Sequence, residues 1–480
     1  MSETWRIDGA DPAALDFVAS ALALVVRAGD LIALTPAAGD RPDRFAAALI
    51  EHVGGGHETP RLSIAQLDAS GGAAGLAYAL ERGLALVRCG GQALAEDALE
   101  IDLAEAGALT LRGHGDWAGR LARLRAMAGF LERAAPGRPK LGFLQGDAST
   151  RAYARVATPE RACILMDAPR QPDGPAIRDG KPYSAIAHLA EDVRPFVAVA
   201  GALRAAGLSA PEILAHDLEN GFLLIEDLGD RVYGDEIAAG RDHVEIYRPA
   251  VDALVALRET GAPERLDLPG GAYRLPSYDE DAMMIEVDLL LDWYWPATQG
   301  GAAPGAARAA FHELWREQFA FLARQPVGWV LRDYHSPNLI WLPEREGAKR
   351  VGMIDFQDAL RGPQAYDLVS LLQDARLDVP AAVERALFAH YCAACERNDP
   401  TFDTTDFSRA YAILGAQRNT KILGIFVRLD RRDGKPDYLA HLPRVTAYLE
   451  RNLAHPDLAG LRRWYDAHLP PETRHGRRPA

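Results

Sequence analysis

Residues 330–341 read VLRDYHSPNLIW, and this stretch is the most informative part of the chain. Four residues separate Asp333 from Asn338, and an apolar, strand-forming run follows directly. Ile354-Asp355-Phe356 follows Asn338 and again places an aspartate at the end of an apolar run. The polar residues between the two runs, Glu344 to Lys349, predict the turn of a β-hairpin. The pattern therefore places a carboxylate, a carboxamide and a second carboxylate around one predicted hairpin.

The chemistry of phosphoryl transfer explains this spacing. In the catalytic loop of protein kinases and their relatives, an aspartate accepts or orients the proton of the attacking hydroxyl, and an asparagine at this spacing holds Mg²⁺. A second aspartate supplies another metal ligand. An isolated aspartate and asparagine would be a weak signal, because both residues also cap turns. Since three linked features agree, we predict an ATP- and Mg²⁺-dependent phosphotransferase that acts on an alcohol group.

The composition is that of a folded globular protein. The chain has 480 residues, of which 48% are hydrophobic and 25% are charged, and its formal net charge is −14. These values exclude a mostly disordered, collagen-like or disulfide-rich protein. An acidic chain is also a poor candidate for nucleic-acid binding, which needs a basic surface. We therefore expect no direct contact with nucleic acid.

Neither a membrane span nor a signal peptide is predicted. The best apolar run, Phe17 to Val26, ends at Arg27 and is too short to cross a bilayer. The first residues, Met1 to Thr4, are polar, unlike a secretory signal. Cys392 and Cys395 form a single CxxC in an Ala-rich context, which favours small buried helix residues over a metal or redox site. We expect a cytoplasmic protein with no membrane partner.

The hydrophobic pattern predicts an α/β N-terminal domain followed by an α+β, two-lobed fold of the protein-kinase type. Strands and helices alternate over residues 1–120, which favours a mainly parallel sheet. The strands predicted there are Leu31 to Leu34, Leu84 to Arg88, Ala98 to Leu103 and Ala108 to Arg112. We expect one helix from Ile186 to Ala206 and a frayed end from Thr473. The predicted divisions are an α/β domain (1–120), a connecting helix and linker (121–140), a β-rich small lobe (141–230), a helical lobe with the catalytic loop (231–470) and a tail (471–480).

The kinase-like part resembles the aminoglycoside phosphotransferase superfamily. Within it, the chain is most similar to the bacterial kinases that phosphorylate the anomeric hydroxyl of N-acetylmuramate and N-acetylglucosamine in peptidoglycan recycling (the AmgK family). The resemblance covers roughly residues 125–470. The segments that carry it are Gly146–Arg151, Leu165–Pro169, Gly221–Gly229, Leu331–Trp341, Ile354–Ala359, Gly362–Pro363, Tyr366–Asp367, Gln373–Arg376 and Gln417–Phe426.

This resemblance implies a set of site residues. Asp333 would be the catalytic base, and Asn338 and Asp355 would be the Mg²⁺ ligands. Asp367 would hold the catalytic loop in place, a structural role. The residues implied to bind ATP are Ser149, Thr150 and Arg151 over the phosphates, and Glu226, Asp227 and Leu228 beside the adenine.

The acceptor site is indicated less sharply. The polar residues on the catalytic side that could contact a sugar are Arg332, His335, Gln357, Asp358, Asp374 and Arg376. Carboxylates and an arginine fork suit sugar hydroxyls, but for each residue an internal salt bridge or a helix cap is an equal alternative. The aromatic run from Trp293 to Trp295 could stack on a sugar. We expect at least two of its three residues, and Tyr366, to pack in the core.

The third strand of the small lobe departs from the protein-kinase pattern. A protein kinase has its phosphate-pairing lysine there, whereas this chain has Met166 and Asp167. The sugar kinases that the chain resembles share this Met-Asp-Ala-Pro strand, so the change does not imply an inactive enzyme. The positive charge would come from Arg151 or Lys181, or the Mg²⁺ ions would have a larger part.

The N-terminal domain resembles the small P-loop ATPase of the tRNA threonylcarbamoyladenosine modification system (TsaE). A phosphate loop would read GxxxxGK[ST], but residues 36–43 read PAAGDRPD. Pro42 stands at the lysine position and Asp43 at the serine or threonine position, which removes a phosphate-facing N–H and adds a negative charge. We predict a degenerate P-loop domain that has lost ATP hydrolysis, with Asp43 as an ordinary helix N-cap.

Two alternatives stay open. A kinase of the same fold could act on another small alcohol, such as an aminoglycoside, choline or homoserine. The chain could also be a scaffold whose N-terminal domain binds tRNA-modification proteins. The intact Asp333, Asn338 and Asp355 argue against an inactive kinase domain, whereas the altered loop favours a partner-binding or vestigial N-terminal domain.

Overall fold

The computed structural model describes residues 2–8, 11–35, 40–54, 63–67, 83–88, 97–103, 108–144, 151–159 and 161–476. The chain divides into two compact units. The first contains Met1–Arg170 and Ile213–Asp227, and the second contains Gln171–Glu212 and Leu228–Ala480. The N-terminal residues and the sheet of the kinase-like small lobe therefore belong to one unit, a grouping that differs from the predicted divisions.

The described residues form the following elements. The strands are β1 (Ser2–Asp8), β2 (Leu31–Leu34), β3 (Ser63–Leu67), β4 (Gly83–Arg88), β5 (Leu99–Asp102), β6 (Ala108–His114), β7 (Leu141–Leu144), β8 (Ala152–Ala157), β9 (Ala162–Asp167), β10 (Ala176–Arg178), β11 (Lys181–Pro182), β12 (Ile213–Asp217), β13 (Phe222–Glu226), β14 (Arg265–Leu268), β15 (Gly271–Arg274), β16 (Val327–Val330), β17 (Leu339–Trp341), β18 (Val351–Met353) and β19 (Leu360–Pro363). The α-helices are α1 (Pro12–Val25), α2 (Arg41–Gly54), α3 (Asp116–Ala134), α4 (Tyr183–Ile186), α5 (Arg194–Ala205), α6 (Tyr233–Ala238), α7 (His243–Thr260), α8 (Glu280–Leu289), α9 (Trp295–Gln299), α10 (Gly305–Leu322), α11 (Tyr366–Leu372), α12 (Ala381–Asn398), α13 (Thr404–Asp433), α14 (Leu442–Leu453), α15 (Ala459–His468) and α16 (Pro471–Gly476).

The first unit contains a six-stranded sheet in the order β1-β6-β5-β2-β4-β3. Strand β2 runs parallel to β4 and β5, and β3 runs parallel to β4, while β6 is antiparallel to β1 and β5. The predicted mainly parallel sheet is thus confirmed. All four residues of β2 are buried, as expected of a parallel strand covered on both faces. Strands β1 and β3 were not among the predicted strands.

The second sheet of this unit is antiparallel, with the order β12-β13-β9-β8-β7. Helix α3 packs on it and extends to Ala134, so it includes the connecting helix predicted within residues 121–140. The reason is an apolar stripe at helical spacing, which needs a surface to cover it. The buried residues of this stripe are Trp117, Leu121, Leu124, Met127, Phe130 and Leu131.

The second unit is mostly helical, as predicted. Strands β17 and β18 form the predicted antiparallel hairpin, while β16 pairs with β19. The single helix predicted from Ile186 to Ala206 is wrong, because α4 ends at Ile186 and α5 begins only at Arg194. Pro195 lies in the first turn of α5. Since proline lacks the N–H that a preceding helical turn would need, it marks a helix start.

Residues 473–476 are helical and do not form the frayed end that was predicted from Thr473. Helix α16 extends to Gly476, and the side chain of Arg474 is buried. Its guanidinium pairs with Glu450 at 3.2 Å and with Asp466 at 2.9 Å. These two ion pairs fasten the last described turn to helices α14 and α15.

The cysteines behave as ordinary core residues where they are described. Cys392 and Cys395 are buried, free thiols on helix α12, and Cys163 is buried in β9. Burial raises the pKa of Cys392 to about 12, which opposes the thiolate form needed for metal or redox chemistry. Cys89 lies outside the described residues. Among those described, no helix has an apolar stretch long enough to cross a bilayer.

The aromatic residues considered as sugar contacts are mainly packing residues. Tyr294 and Trp295 are buried, and Trp293 is partly exposed. Tyr366 is buried and its ring meets that of Tyr278 edge to face at 5.4 Å. The prediction that at least two of the three run residues, and Tyr366, lie in the core is confirmed.

The start of helix α2 corrects the prediction that Asp43 is the N-cap of this helix. Residues 36–39 lie outside the described part of the chain. Helix α2 begins at Arg41, so Asp43 lies in its first turn and is not the N-cap. Asp40 lies just before the helix, and its carboxylate pairs with the Nε of Arg44 at 2.6 Å. Pro42 is tolerated because the first N–H groups of a helix have no partner within it.

Helix α13 packs closely against the end of α8 at Gly424. A β-carbon at this position would overlap the backbone carbonyl of Leu289. We therefore expect Gly424→Ala to destabilise the folded chain by about 1–3 kcal/mol, the usual cost of overpacking. The measurement is the midpoint of denaturant unfolding of the full chain.

Gly201→Ala is the matched control. Gly201 lies within helix α5, and a β-carbon there would meet no atom within 4 Å. Alanine also has the higher helix propensity, so this variant should be unchanged or more stable by up to about 1 kcal/mol. Equal unfolding midpoints for the two variants would contradict the close packing of α13 on α8.

Candidate active site

One buried carboxylate holds the start of the catalytic loop. Asp367, in the first turn of α11, accepts hydrogen bonds from the backbone N–H groups of Leu331 at 2.7 Å and Arg332 at 3.0 Å. The hydroxyl of Ser370 donates to the carbonyl of Arg332 at 3.2 Å. Arg332 has a φ of +69°, which non-glycine residues rarely adopt. These bonds fix the turn that presents Asp333, in agreement with the role predicted for Asp367.

The protonation of Asp367 is shifted by its surroundings. Burial raises the pKa of its carboxyl group to about 7, although the two backbone hydrogen bonds act in the opposite direction. The negative charge of Asp333 also raises this pKa. The carboxylate that accepts both N–H groups therefore predominates only above about neutral pH.

The three groups predicted for phosphoryl transfer come together at one end of the β17–β18 hairpin. The side-chain amide of Asn338 donates to the carbonyl of Asp333 at 3.0 Å and lies 3.4 Å from a carboxylate oxygen of Asp355. The backbone N–H of Ile354 donates to the carbonyl of Asn338 at 3.1 Å, which brings the two strand ends together. The side chain of Asp333 is 44% exposed. It can therefore reach a substrate.

The residues present suit a magnesium ion that arrives with phosphates. Asn338 and Asp355 offer amide and carboxylate oxygens, the hard ligands that Mg²⁺ prefers. Gln357 donates to one carboxylate oxygen of Asp355 at 2.9 Å and so orients that group. Across the described residues, no group of three His, Cys, Asp or Glu side chains could hold a metal. The two ligands would therefore need phosphate and water oxygens to complete a coordination shell.

His335 lies between two carboxylates. Its Nε2 is 3.9 Å from a carboxylate oxygen of Asp333, and its Nδ1 is 3.9 Å from one of Asp374. Burial lowers the pKa of the ring, although both carboxylates act in the opposite direction. Nδ1 makes no hydrogen bond within the fold. A neutral imidazole with an unused nitrogen therefore lies beside the predicted base.

Asp374 organises the backbone around this histidine. Its buried carboxylate accepts hydrogen bonds from the N–H groups of Ser336 and Arg376, each at 2.8 Å. Burial acts to raise the pKa of Asp374, but His335 and the backbone bonds lower it overall. Both carboxylate oxygens of Asp374 therefore accept backbone N–H groups inside the fold.

Arg376 is half-buried, whereas the neighbouring His335 and Asp374 are buried. Its guanidinium lies 5.3 Å from the ring centre of Tyr438. Burial, and then the positive charges of Arg444 and Arg376, lower the pKa of His441. His335 lies 3.9 Å from Asp374, and the backbone N–H of Arg376 donates to Asp374, so these three residues, predicted separately as acceptor residues, are contiguous.

Arg332 is part of a buried ion cluster. Its guanidinium pairs with the carboxylate of Glu286 on helix α8 and donates to the carbonyl of Ala187 at 2.7 Å. The other donors to Glu286 are Lys421 at 2.8 Å, Tyr278 at 2.5 Å and Gln417 at 2.9 Å. Burial alone would raise the pKa of Glu286, but Lys421 and Arg332 lower it to about 2. These contacts favour the internal salt bridge over sugar binding for Arg332.

Asp358 is also bonded within the fold. One of its carboxylate oxygens accepts the backbone N–H of Ala190 at 2.6 Å. Arg332 and Asp358 therefore both hold the segment 187–190, and sequence reasoning missed this shared role. It also missed Lys421, although Gln417 and Lys421 are four residues apart on α13 and so lie on one helix face.

The residues implied to bind ATP belong partly to the first unit. Ser149 and Thr150 lie outside the described residues, and Arg151 directly precedes strand β8. Glu226 is the last residue of β13, and Asp227 forms an ion pair with Arg155 at 2.6 Å. Leu228 is buried and is the first residue of its segment of the second unit.

Strand β9 has two distinct faces. Cys163 and Leu165 belong to the core that includes helix α3. Because side chains alternate along a strand, Met166 lies on the opposite face, where it is buried. Lys181, the other candidate for the missing positive charge, is exposed on strand β11 of the second unit.

Comparison with known proteins places this geometry in a family. The model of the phosphotransferase enzyme family (APH) matches residues 140–405. The N-acetylmuramate/N-acetylglucosamine kinase of Caulobacter vibrioides is 42% identical over 361 residues, which span 73% of this chain and 98% of the relative. The kinase of the same name from Pseudomonas aeruginosa is 38% identical over 320 residues, 66% of this chain and 84% of the relative. The crystal structure of a choline/ethanolamine kinase family protein from Mesorhizobium loti has a TM-score of 0.44 at 15% identity, covering 71% of this chain and 97% of that one.

The matched residues include the catalytic loop, the β17–β18 hairpin and the aspartate that holds the loop. More than half of the chain is matched by the family model, and the two relatives described above are named as kinases. The chain therefore belongs to the phosphotransferase enzyme family (APH) and is an enzyme that phosphorylates an alcohol group.

Proposed function

We propose that this kinase uses ATP and Mg²⁺ to phosphorylate the anomeric hydroxyl of N-acetylmuramate and N-acetylglucosamine, in the cytoplasmic recycling of cell-wall sugars. The observation that carries the proposal is the convergence of Asp333, Asn338 and Asp355 at one end of the β17–β18 hairpin. The choice of acceptor is supported by the two kinases described above, whose names give both sugars.

Asp333 would act on the acceptor hydroxyl. Its exposed carboxylate would accept or orient the hydroxyl proton while the oxygen attacks the γ-phosphorus in line and the bond to the β–γ bridging oxygen breaks. The bond from the Asn338 amide to the carbonyl of Asp333 supports this role, because it fixes the loop on which the carboxylate stands. The catalytic gain would come mainly from such positioning.

Asn338 and Asp355 would hold Mg²⁺, which when bound neutralises the charge that develops between the β- and γ-phosphates. Gln357 would keep the Asp355 carboxylate oriented through its hydrogen bond. Because only two protein groups contribute, metal binding and nucleotide binding would be strongly coupled.

Ser149, Thr150 and Arg151 would cover the phosphates, and the backbone of Glu226 to Leu228 would contact the adenine. Its position beside strand β8 supports Arg151 as the source of the missing positive charge. Tyr153 of β8 is the cross-strand partner of Met166, and Arg151 directly precedes that strand. Lys181 has no such relation to Met166.

Arg376 would recognise the feature that separates the two sugars. N-acetylmuramate carries a lactyl carboxylate that N-acetylglucosamine lacks, and a guanidinium is well suited to bind a carboxylate. The aromatic ring of Tyr438 beside Arg376 suits the apolar face of a sugar. His335 would contact sugar hydroxyls, and Asp374 would hold both residues in place. Arg332 and Asp358, proposed at first as acceptor contacts, are better supported as residues that position the loop.

For the N-terminal domain we propose a degenerate TsaE-like fold without ATP hydrolysis. Pro42 and Asp43 support the loss, because the start of α2 lacks the N–H donor and the positive charge that phosphates need. Binding of tRNA-modification proteins is the alternative role for this domain. Direct binding of those purified proteins to the full chain is the test of that role.

Replacing the proposed base should abolish turnover without abolishing nucleotide binding. Asp333→Ala should lower kcat by about 10²–10⁴-fold, the usual contribution of general base catalysis. The affinity for a non-hydrolysable ATP analogue, measured by calorimetry, should stay within about twofold of the wild type, because Asp333 contacts the acceptor. The stoichiometry should be a single analogue per chain, since the N-terminal domain is proposed not to bind one.

Asp267→Ala is the control, because Asp267 is an exposed carboxylate on strand β14 of the second unit. It should keep the wild-type kcat. Near-normal turnover of Asp333→Ala would contradict the assignment of the base, and two bound analogues per chain would contradict the loss of the N-terminal site.

Removing the charge of the second metal ligand should raise the magnesium requirement. Losing an outer group that orients a metal ligand typically costs about 10–100-fold in metal affinity, and the effect of Gln357→Leu on the Mg²⁺ concentration for half-maximal activity should fall within that range. Asp355→Asn, which changes a direct ligand, should raise this concentration further. A magnesium titration at saturating acceptor measures both. An unchanged magnesium dependence of Asp355→Asn would contradict its role as a ligand.

The acceptor is tested by turnover with N-acetylmuramate, N-acetylglucosamine and kanamycin. We expect both amino sugars to yield an acid-labile, alkali-stable phosphate.

Arg376→Gln should lower kcat/KM for N-acetylmuramate by about tenfold, through loss of one charged hydrogen bond. It should leave kcat/KM for N-acetylglucosamine within about twofold of the wild-type value. Arg324→Gln is the control, because Arg324 is an exposed arginine in the turn that follows helix α10. Turnover of kanamycin alone would contradict the proposed acceptor, and equal losses for both sugars would contradict the role of Arg376.

A further inference from the structure

The first unit contains an arginine that joins the N-terminal part of the chain to the small-lobe sheet. Arg123, on helix α3, donates from Nε and Nη2 to one carboxylate oxygen of Asp167, at 3.0 Å and 2.5 Å. Its Nη1 donates to the backbone carbonyl of Asn220. The guanidinium also lies 3.8 Å from the ring centre of Phe222. One side chain therefore contacts the end of β9, the turn before β13 and the first residue of β13.

The strands that Arg123 joins already meet at this place. The N–H of Ala168, which follows β9, donates to the carbonyl of Gly221 at 2.9 Å. Gly221 has a φ of +72°, and a β-carbon there would overlap the carbonyl of Ala168. The backbone conformation of this turn is therefore closely constrained. Arg123 links the turn to helix α3 through its hydrogen bond to Asn220.

Apolar packing continues from this arginine along helix α3. The rings of Phe130 and Phe222 are stacked with their centres 5.7 Å apart. Leu165 of β9 and Leu224 of β13 are buried in the same core as α3 and the six-stranded sheet. The face of the small-lobe sheet that carries these residues is therefore covered by the N-terminal part of the chain.

The position of Asp167 gives this contact its functional meaning. Asp167 follows Met166 directly, and Met166 stands where a protein kinase has the lysine that pairs with phosphates and with a glutamate of a helix. That lysine–glutamate pair holds the third strand in protein kinases, and this chain has no lysine at the position to form it. This chain has a different contact instead. Asp167, whose side chain lies on the opposite face of the strand from that of Met166, forms an ion pair with Arg123.

We propose that Arg123 is a positioning residue for nucleotide binding, through which helix α3 holds strand β9 in register. The inference rests on the proposed use of ATP by the small-lobe sheet. It gives the N-terminal domain a role that needs no phosphate loop, since only its fold and helix α3 are required. It also explains why a domain that has lost its own phosphate loop shares a continuous core with the kinase sheet.

The test uses the full chain and a direct measurement of ATP affinity. Arg123→Met keeps much of the side-chain bulk and removes the charge and the hydrogen bonds. We expect the dissociation constant of an ATP analogue and the KM for ATP to rise about five- to tenfold. The kcat and the KM for the acceptor should stay within twofold, and Arg123→Lys should recover part of the lost affinity.

Arg125→Met is the matched control. Arg125 lies on the same helix and pairs with Glu3 of strand β1 at 2.7 Å, away from the small-lobe sheet. It should leave the ATP affinity unchanged. Thermal unfolding of all variants shows whether each is folded at the assay temperature.

Three outcomes would overturn the inference. An ATP affinity unchanged in Arg123→Met would show that the contact is only structural. Equal increases of the KM for ATP and for the acceptor would indicate general loosening of the fold, as would equal effects of the two methionine variants. A wild-type chain that binds ATP but phosphorylates no amino sugar would instead overturn the proposed acceptor, and the comparison of ATP affinities would still decide the role of Arg123.

Discussion

The buried carboxylate of Glu286 is the interaction on which the geometry of the catalytic loop depends. It pairs with Arg332, the residue directly before the proposed base, and with Lys421 on α13. Removing either partner of a buried ion pair typically costs about 3–5 kcal/mol, because the remaining charge is left without compensation. The residues around Glu286 therefore fix where Arg332 can lie, and through it where the next residue, Asp333, can stand.

Both ends of the site are in backbone conformations that need such support. Arg332 has a φ of +69° and Asp355 a φ of +60°. Each left-handed non-glycine residue costs about 1–3 kcal/mol and persists only where its surroundings fix it. Asp367 supplies two hydrogen bonds at the first position, and Gln357 supplies one to the side chain at the second. The strain lies at the two points where the chain must turn to aim a carboxylate.

The sequence predicted this site well where its geometry is local. Asp333, Asn338 and Asp355 are linked by one short loop and one hairpin, so spacing alone was enough to bring them together. The role of Arg332 was not predictable in this way, because Glu286 lies 46 residues before it and Lys421 lies 135 residues after Glu286. Residue type does not distinguish an arginine that binds a sugar from one that binds a buried glutamate. Only the fold makes that distinction.

The same reasoning explains the errors in the predicted fold. Strand β1 has a single buried residue, Trp5, and so leaves little hydrophobic pattern to detect. By contrast, the connecting helix expected within residues 121–140 is present, because the apolar pattern of α3 continues to Ala134 and the proline- and glycine-rich break comes after that helix.

Helix α3 also indicates what the N-terminal part of the chain contributes to the small-lobe sheet. This sheet has two faces, and an apolar face must be covered by another layer of secondary structure. In this chain the cover is α3, which shares one core with the six-stranded sheet. Pro42 and Asp43 lie at the start of α2 and not in α3, so the unusual sequence there leaves this cover in place. Without it Leu165, Phe222 and Leu224 would be exposed, so the stability of the small-lobe sheet depends on the N-terminal part of the chain.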